Sequence, residues 1–507
     1  MKISGNHFFI YTGGRTIQPN TIKQSAVLST DLNRAPDRLN HIHLIGICGT
    51  GMASLAGLLS ALGFKVTGSD RSFYPPMSTF LNALKIPMFS GYSAENLETG
   101  PDLVIVGNVV TRNNPEAVEL ARQGIPYLSF PQALTYFVLE RTKRIVICGT
   151  HGKTTTASLA AWLLTTAGLD PACMIGGIPL NFDSGCRLGA GDYSVVEGDE
   201  YDTAFFDKGP KFLHYRPDIA VLTSVEFDHA DIYRDMDHLR ENFQKLVEII
   251  PHDGLLIANG DDPEIRRLAS IAGCRVVSYG FSHSCSVTAS GISTRNDLTR
   301  FVAIKNGQTL KELFTPLYGM HNLSNLLAVT ALSDAMDIPA EVLALAFSTF
   351  RGIKRRQEVV GETAGITVVD DFAHHPTAVG ATLRAVREKF PGRRLVAVFE
   401  PRSNSSRTKV FQDAYSRAFD GADIAFIPDP QFVEKIPPAE RFSAVRLAED
   451  LNAAGIKAVP SKNTGELLET LTLSVKPGDV VLLMSNGAFD DLPRRLVDAL
   501  EHRFKTG

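Results

Sequence analysis

Residues 147–156 read Ile-Cys-Gly-Thr-His-Gly-Lys-Thr-Thr-Thr. A β-branched run, Arg144-Ile145-Val146-Ile147, enters this stretch and predicts a strand. An Ala/Leu-rich amphipathic run from Thr154 to Gly168 leaves it and predicts a helix. Between the two lie glycines, a lysine and a hydroxyl residue, the inventory of a triphosphate grip. Backbone N–H groups at a helix N-terminus hold phosphate oxygens, the Lys153 ammonium reaches the outer phosphates, and the Thr154 hydroxyl is a ligand for Mg²⁺. The longer phosphate-loop pattern would place a glycine at 147, where Ile stands, so the match is to the shorter Gly-x-x-Gly-Lys-Thr-Thr form. ATP is therefore expected on Gly149, Thr150, His151, Gly152, Lys153, Thr154 and Thr155.

Outward from that loop the chain alternates strand and helix. His41–Ile45 predicts a strand, Gly46–Gly51 a glycine turn, Met52–Gly63 a helix, and Phe64–Thr67 a second strand ending in Gly68-Ser69-Asp70. Strands after residue 144 run into Glu197-Gly198-Asp199-Glu200 and, through 219–223, into Glu226-Phe227-Asp228-His229. Residues 283–318, with short alternating runs and turn residues, predict a small antiparallel insertion, followed by a helix carrying His321 to Asn325. Near Gly352 the pattern restarts, with strands at 366–369, 395–398, 424–427 and 480–483. Such alternation means parallel sheets covered on both faces. The 507 residues suit about three domains. The expected architecture is three tandem α/β domains: Rossmann-like at 41–142, a phosphate-loop ATPase type at 143–352, and Rossmann-like again at 353–507. Residues 1–40, polar and without sustained period, predict a mobile extension.

Composition excludes several classes. A formal charge of −4 offers no field for a polyanion, so nucleic acid is not an expected partner. No apolar run reaches the length of a membrane span, and no signal-peptide pattern opens the chain. Six cysteines without a Cys-x-x-Cys pair read as reduced thiols of a cytoplasmic protein rather than a disulfide framework or zinc knuckle.

Ligands of open parallel sheets gather at the carboxyl ends of the strands, and three polar clusters fall there. Gly46-Ile47-Cys48-Gly49-Thr50-Gly51, with Asp70 about 20 residues on, suits a diphosphate at a helix N-terminus and an acid on a ribose. The spacing admits both a nucleotide-sugar diphosphate and a dinucleotide such as NAD. Glu197, Asp199, Glu200 and Asp202, with Glu226, Asp228 and His229, form an acidic group in which Thr154 and Glu197 suit a hard cation and His229 a second ion. Asp370-Asp371-Phe372-Ala373-His374-His375-Pro376, combined with Asp228 and His229, can also be drawn as a binuclear metallohydrolase, although a hydrolase has no need of a triphosphate loop.

Six motifs, Gly149 to Thr156, Glu197-x-Asp-Glu200, Asp228-His229, His321-Asn322-x-x-Asn325, Arg355-Arg356 and Asp370-Asp371-x-x-His-His-Pro376, occur in that order. Together they resemble the Mur ligases, the ATP-dependent amide-forming enzymes of bacterial peptidoglycan synthesis, from about His41 to the C-terminus. The resemblance implies that a muramate carboxylate attacks the γ-phosphate of ATP and that an amine then captures the acyl phosphate. It implies Lys153, His229, Arg356 and Asp371 as catalytic residues, and Asn322, Asn325, Arg356 and Asp371 as further ATP contacts. Thr154, Glu197 and His229 are implied as Mg²⁺ ligands, and Gly49, Thr50, Gly51 and Asp70 as the UDP end. His374 and His375 are candidates by motif for the base that deprotonates the amine. Closure hinged near residues 351–354 is expected to complete the site.

Within the family, one branch adds L-alanine to UDP-N-acetylmuramate, and another rejoins the recycled tripeptide L-alanyl-γ-D-glutamyl-meso-diaminopimelate. The sequence is more similar to the second, through Gly46 to Gly51, Tyr74-Pro-Pro-Met-Ser-Thr79, Asp199 to Lys208, Glu400-Pro-Arg-Ser-Asn404 and Met484-Ser-Asn-Gly487. It departs at Ala488-Phe489-Asp490-Asp491, where that branch is richer in glycine. UDP-N-acetylmuramate, ATP and a muropeptide are the implied partners, with Mg²⁺ as cofactor.

Overall fold

Unbroken Val/Ile/Leu runs need cover on both faces, and the fold places them so. The computed structural model describes residues 25–228, 230–295 and 297–505. In the first domain His41–Ile45 pairs in parallel with Lys65–Asp70 on one side and Leu103–Val106 on the other. Met88–Ser90 and Tyr127–Ser129 complete a five-stranded, all-parallel sheet. Strand order reverses at His41–Ile45, so the crevice opens where Gly46–Gly49 turns into the helix Thr50–Ala61.

The central sheet has ten strands. Lys143–Cys148 runs parallel between Ile219–Leu222 and Tyr193–Gly198, so the loop after Cys148 emerges at mid-sheet. The helix Lys153–Thr166 buries ten of its fourteen residues, packed against the sheet and the helix Met320–Ala335. The antiparallel insertion is present as Val287–Arg295, Leu298–Lys305 and Gln308–Thr315. It is an extension of the same sheet, joined through the pairing of Tyr279 with Val287. The third domain sets Ile366–Asp371, Val480–Met484, Leu395–Phe399, Ile424–Pro428 and Lys457–Ser461 in parallel, with Glu358–Thr363 antiparallel at one edge. The fold is thus three α/β domains on mainly parallel sheets.

One expectation is corrected. Residues 25–40 do not hang free of the first domain. The Ala26 N–H donates to Arg112 O (2.6 Å), the Asn33 amide donates to Tyr127 O and Gln132 Oε1 (3.1 Å each), and Leu28 and Leu32 pack on that domain's core. Their only helical element is the single turn Thr30–Leu32, which leaves no period to read; residues 1–24 of the expected extension lie outside the described residues. The linker at 351–354 is tied to the central domain in this state. Arg351 N donates to Asn181 Oδ1 (2.8 Å), Leu180 N to Gly352 O (3.0 Å) and Lys354 N to Ile178 O (3.0 Å). The backbone turns left-handed just beyond, at Arg355 (φ 60°) and Gln357 (φ 53°).

The domains are joined by different kinds of contact. A hairpin of the central domain, Asp202–Ala204 with Asp207–Pro210, carries Phe205 and Phe206 onto the apolar surface of the first domain. The Phe206 ring meets Tyr127 edge-on at 4.9 Å. The third domain meets the central one through polar groups, including Ser405 Oγ donating to Asp228 Oδ1 (3.0 Å) and Asn404 Nδ2 donating to Asp231 Oδ2 (2.7 Å). Phe206→Ala is expected to cost about 1–2 kcal/mol of first-domain docking, as a half-buried aromatic should. Differential scanning calorimetry should show that domain melting several degrees earlier; an unchanged trace would mean the hairpin is not the anchor.

Candidate active site

The phosphate loop needs glycine at two places. Gly149 (φ 131°) and Gly152 (φ 80°) lie in left-handed backbone. A Cβ at 149 would stand 2.8 Å from Ser224 N, and one at 152 only 2.5 Å from Asn325 Oδ1. The loop is pinned to the neighbouring strand end: Thr150 N donates to Ser224 O (2.9 Å), His151 N to Ser224 Oγ (2.8 Å), and Thr150 Oγ1 to Glu226 O (3.1 Å). It faces a cavity of about 580 Å³ bounded by all three domains. The first domain contributes Thr50, Gly51 and Phe130, and the third contributes Asp371 to His374 and Asn486.

Lys153 Nζ donates to Gly149 O (2.6 Å) and to Glu200 Oε2 (2.8 Å) and Oε1 (3.1 Å). Burial alone would lower this ammonium, but the carboxylates of Glu200, Asp199 and Glu197 outweigh it and raise the pKa, so the cation persists. Asp199 is itself held by Lys211 Nζ at 2.6 Å. The Thr154 hydroxyl donates to Glu197 Oε1 (2.9 Å), while Glu197 Oε2 accepts Gly176 N–H (2.7 Å). A hydroxyl and a carboxylate side by side are the hard oxygen donors that Mg²⁺ takes, so the residues present fit that ion. His229, the third expected ligand, lies outside the described residues.

From the third domain's edge, Arg356 Nη2 donates to Thr154 Oγ1 (3.2 Å), with its guanidinium 4.7 Å above the Phe372 ring. Asp371 lines the cavity, yet both its oxygens are engaged by Gln357 N–H and Ala373 N–H (2.8 Å each) and the Thr382 hydroxyl (3.3 Å). It braces the linker against the third domain as much as it faces a ligand. Burial raises its carboxyl, against Arg356 and those N–H groups. Asn322 and Asn325 are both 6% exposed and line the cavity. Asn322 Nδ2 donates to Tyr318 O and Gln357 Oε1 (2.9 Å each), and Asn325 Oδ1 accepts the Thr156 hydroxyl (3.2 Å). The structure thus brings the phosphate loop, Glu197, both asparagines, Arg356 and Asp371 to one place.

The first-domain set divides. Thr50 and Gly51 reach the cavity wall, and Gly49 caps the helix that carries them. Asp70 is outside the lining: its carboxylate accepts Cys48 N–H (2.9 Å), Arg71 N–H (2.7 Å) and Tyr92 OH (3.4 Å), holding the glycine turn in shape. Glu200, Lys211, Gln357 and Phe372 belong to the site but were not among the expected residues. Glu200 was visible in the acidic run with Glu197; Lys211 and Gln357 carry no local signal, because tertiary pairing alone brings them in.

Across the cleft, His151 Nε2 lies 3.1 Å from Glu226 Oε2, and His375 Nδ1 lies 3.6 Å from the same oxygen. His374 Nε2 is 3.8 Å from Asp228 Oδ2. Glu226 would be raised by burial, but His151 and its other partners bring it down to about 2.

A phosphate loop opposite a hydroxyl–carboxylate pair, in a cleft shared by three α/β domains, defines an enzyme that spends a nucleoside triphosphate on a second, large substrate. Comparisons with known proteins agree. Residues 41–142 match the "Mur ligase family, catalytic domain", 147–333 the "Mur ligase middle domain", and 355–487 the "Mur ligase, glutamate ligase domain". The chain is 40% identical over 461 residues (90% of this chain, 98% of the other) to the UDP-N-acetylmuramate–L-alanyl-γ-D-glutamyl-meso-2,6-diaminoheptandioate ligase of Escherichia coli K12. It is 38% identical over 463 residues (91% and 98%) to the UDP-N-acetylmuramate–L-alanine ligase of Anaeromyxobacter sp. Fw109-5. The crystal structure of a murein peptide ligase from Psychrobacter arcticus 273-4 superposes with a TM-score of 0.69 at 34% identity, covering 91% of this chain and 99% of that one. The chain belongs to the Mur ligase family and is an ATP-dependent, amide-bond-forming ligase. The dinucleotide and metallohydrolase readings of its strand ends fall away.

Two tests follow from this geometry. Gly149→Ala forces strained backbone and a clash with Ser224, and is expected to weaken ATP binding about tenfold to a hundredfold; calorimetry giving wild-type affinity would show that the loop tolerates a side chain. His321 is lowered to about 4 by burial and by the Arg356 and Arg384 charges, and its Nε2 accepts from Gln357 Nε2 at 3.4 Å. The folded pKa is depressed, so the neutral ring's contribution to stability is complete above about 6.5 and lost as pH falls through about 4. An NMR titration of the His321 ring should find its midpoint near the lower value; a midpoint near 6.5 would mean an open, solvated ring.

Proposed function

We propose that this ligase joins the lactyl carboxylate of UDP-N-acetylmuramate to the α-amine of L-alanyl-γ-D-glutamyl-meso-diaminopimelate, in the cytoplasm, as a step of cell-wall peptide recycling. The observation that carries the reading is the shared cavity, in which the triphosphate grip of Lys153 and the helix N-terminus at Thr50 and Gly51 face one space. A nucleotide-sugar diphosphate on that first-domain terminus directs its sugar carboxylate toward a γ-phosphate on the loop. The ligases named for this tripeptide in Escherichia coli and Haemophilus influenzae, 40% and 36% identical, support the choice of amine. Among the described residues no helix is long and apolar enough to cross a membrane.

Phosphoryl transfer asks for positioning and charge neutralisation more than covalent help. Lys153 would leave Glu200 for the β- and γ-phosphates, and the loop amides would hold the same oxygens. Arg356, stacked on Phe372, brings a second cation to Thr154 from the third domain. Thr154 and Glu197 would hold Mg²⁺, with His229, and the bound ion supplies further neutralisation of the phosphates. Asn322 and Asn325 support the loop from the helix behind it. The carboxylate attacks the γ-phosphorus, ADP leaves, and the amine displaces phosphate from the acyl phosphate. Walls from three domains exclude water from that hydrolysable intermediate. His374 stands as the group to accept the amine's proton, from its place on the cavity wall.

Incubation with UDP-N-acetylmuramate and ATP plus either the tripeptide or L-alanine decides the amine. The tripeptide is expected to release ADP with a kcat/KM at least about a hundredfold higher, a difference of about 2.7 kcal/mol in transition-state binding. Preference for L-alanine would overturn the reading. Lys153→Ala is expected to lower kcat about a thousandfold and leave UDP-N-acetylmuramate affinity unchanged. Its melting curve is recorded as well, because the change removes the Lys153 cation from the buried Glu200 carboxylate. Retained turnover would remove Lys153 from the chemistry.

A further inference from the structure

Three side chains beside the ATP cleft converge without a role in the reaction just described. His151 belongs to the phosphate loop, Glu226 follows the strand Ile219–Leu222, and His375 caps the helix Pro376–Lys389 of the third domain. One ligand atom from each lies within 4.8 Å of the other two. We propose that His151, Glu226 and His375 form a binding site for a first-row transition-metal cation of the Zn²⁺ class, separate from the Thr154–Glu197 pair, which fastens the third domain to the phosphate loop.

Hydrogen bonding points to a cation there. Thr377 N–H donates to His375 Nδ1 at 3.3 Å, so that nitrogen carries no proton. The same nitrogen nevertheless lies 3.6 Å from Glu226 Oε2, so two acceptor atoms sit side by side. A cation between the two relieves the repulsion and replaces a long cap bond. Spacing agrees: zinc bonds of about 2.0–2.1 Å in a tetrahedral set put ligand atoms about 3.3 Å apart. The observed 3.1 Å from His151 Nε2 and 3.6 Å from His375 Nδ1 to the shared carboxylate oxygen bracket that value. The two rings lie 4.8 Å apart at 45°, converging rather than stacked, and Phe411 backs His375 at 4.7 Å.

Donor chemistry separates this site from the Mg²⁺ pair. Two imidazoles and one carboxylate suit Zn²⁺, Co²⁺ or a similar ion, whereas Mg²⁺ takes oxygen. His151 and Glu226 also line the cavity, which leaves a fourth position open to water or a phosphate oxygen. Because two ligands come from the central domain and one from the third, occupancy ties the walls of the ATP cleft together.

Co²⁺ is the probe, added to the full chain freed of metal by chelation, with millimolar Mg²⁺ present to fill the oxygen site. The expected result is one Co²⁺ per chain by equilibrium dialysis, with the visible absorption of a low-coordinate cobalt site. Glu226→Gln should weaken that binding about a hundredfold. His375→Asn should do the same, and asparagine keeps the helix cap that alanine would remove, so loss of the signal in a folded variant reports the ligand. Glu197→Gln should leave the spectrum unchanged. Absence of the cobalt spectrum in the wild type, its persistence in His375→Asn, or its loss in Glu197→Gln would each overturn the proposal.

Discussion

A cation that must wait for a triphosphate cannot wait alone in a buried loop. Lys153 waits on Glu200, at 2.8 Å, with the carbonyl of Gly149 at 2.6 Å on another face. An unpaired ammonium here would carry a desolvation penalty of several kcal/mol, far above what one loop can absorb. Glu200 removes that penalty and leaves the lysine charged and pre-aimed, and phosphate oxygens exchange one anionic partner for another. The glycines at 149 and 152 permit the backbone to turn its amides inward. Ser224, one strand over, then fixes the loop's height above the sheet. The same logic recurs at Thr154, whose hydroxyl is already shared between Glu197 and Arg356. Each ligand-facing group in the site has a protein partner that the substrate or ion can replace.

The joints between domains follow from the kind of surface each presents. Phe205, Phe206 and Tyr127 seal the first domain to the central one with apolar contact, which holds at any salt and is costly to open. The third domain is held by Tyr318, which packs into its apolar core, and by hydroxyl, amide, imidazole and carboxylate groups around Asp228, Glu226 and Thr154. The polar contacts among these exchange with water at little net cost. Arg355 and Gln357, left-handed residues just past the strapped linker, mark where the chain changes course.

How far the sequence could be read depended on range. The phosphate loop, its strand and its helix are written within some 25 consecutive positions, and local period suffices for them. The parallel strands likewise announce themselves as unbroken β-branched runs. What escaped was tertiary. Asp70 carries the spacing of a ribose-binding acid, yet its oxygens are taken by Cys48 N–H and Arg71 N–H, and only folding shows this. Asp371 is in the cavity as expected, but its bonds to Gln357 and Ala373 make it a brace too. Residues 25–40 lacked any period because their order is borrowed from Tyr127, Gln132 and Arg112. The insertion at 283–318 was legible as antiparallel hairpins, but its continuity with the central sheet rests on one pairing, Tyr279 with Val287.

The departure at Ala488-Phe489-Asp490-Asp491 has a backbone explanation. Phe489, Asp490 and Asp491 all have positive φ, at 49°, 49° and 55°. Glycine meets that demand at no steric cost, whereas each residue with a Cβ is charged about 1 kcal/mol or more. Aspartate is among the side chains that tolerate this region best, which accounts for two of the three positions. Phe489 is the exception, and it is 3% exposed, packed with Leu492 and Leu496 under the sheet. Burying a phenylalanine returns about 2–3 kcal/mol, enough to offset its own torsion. The turn is thus held by an apolar anchor where glycine would have left it loose, and Asn486 and Gly487, which precede it, sit on a stiffened support beside Arg402 and Glu400.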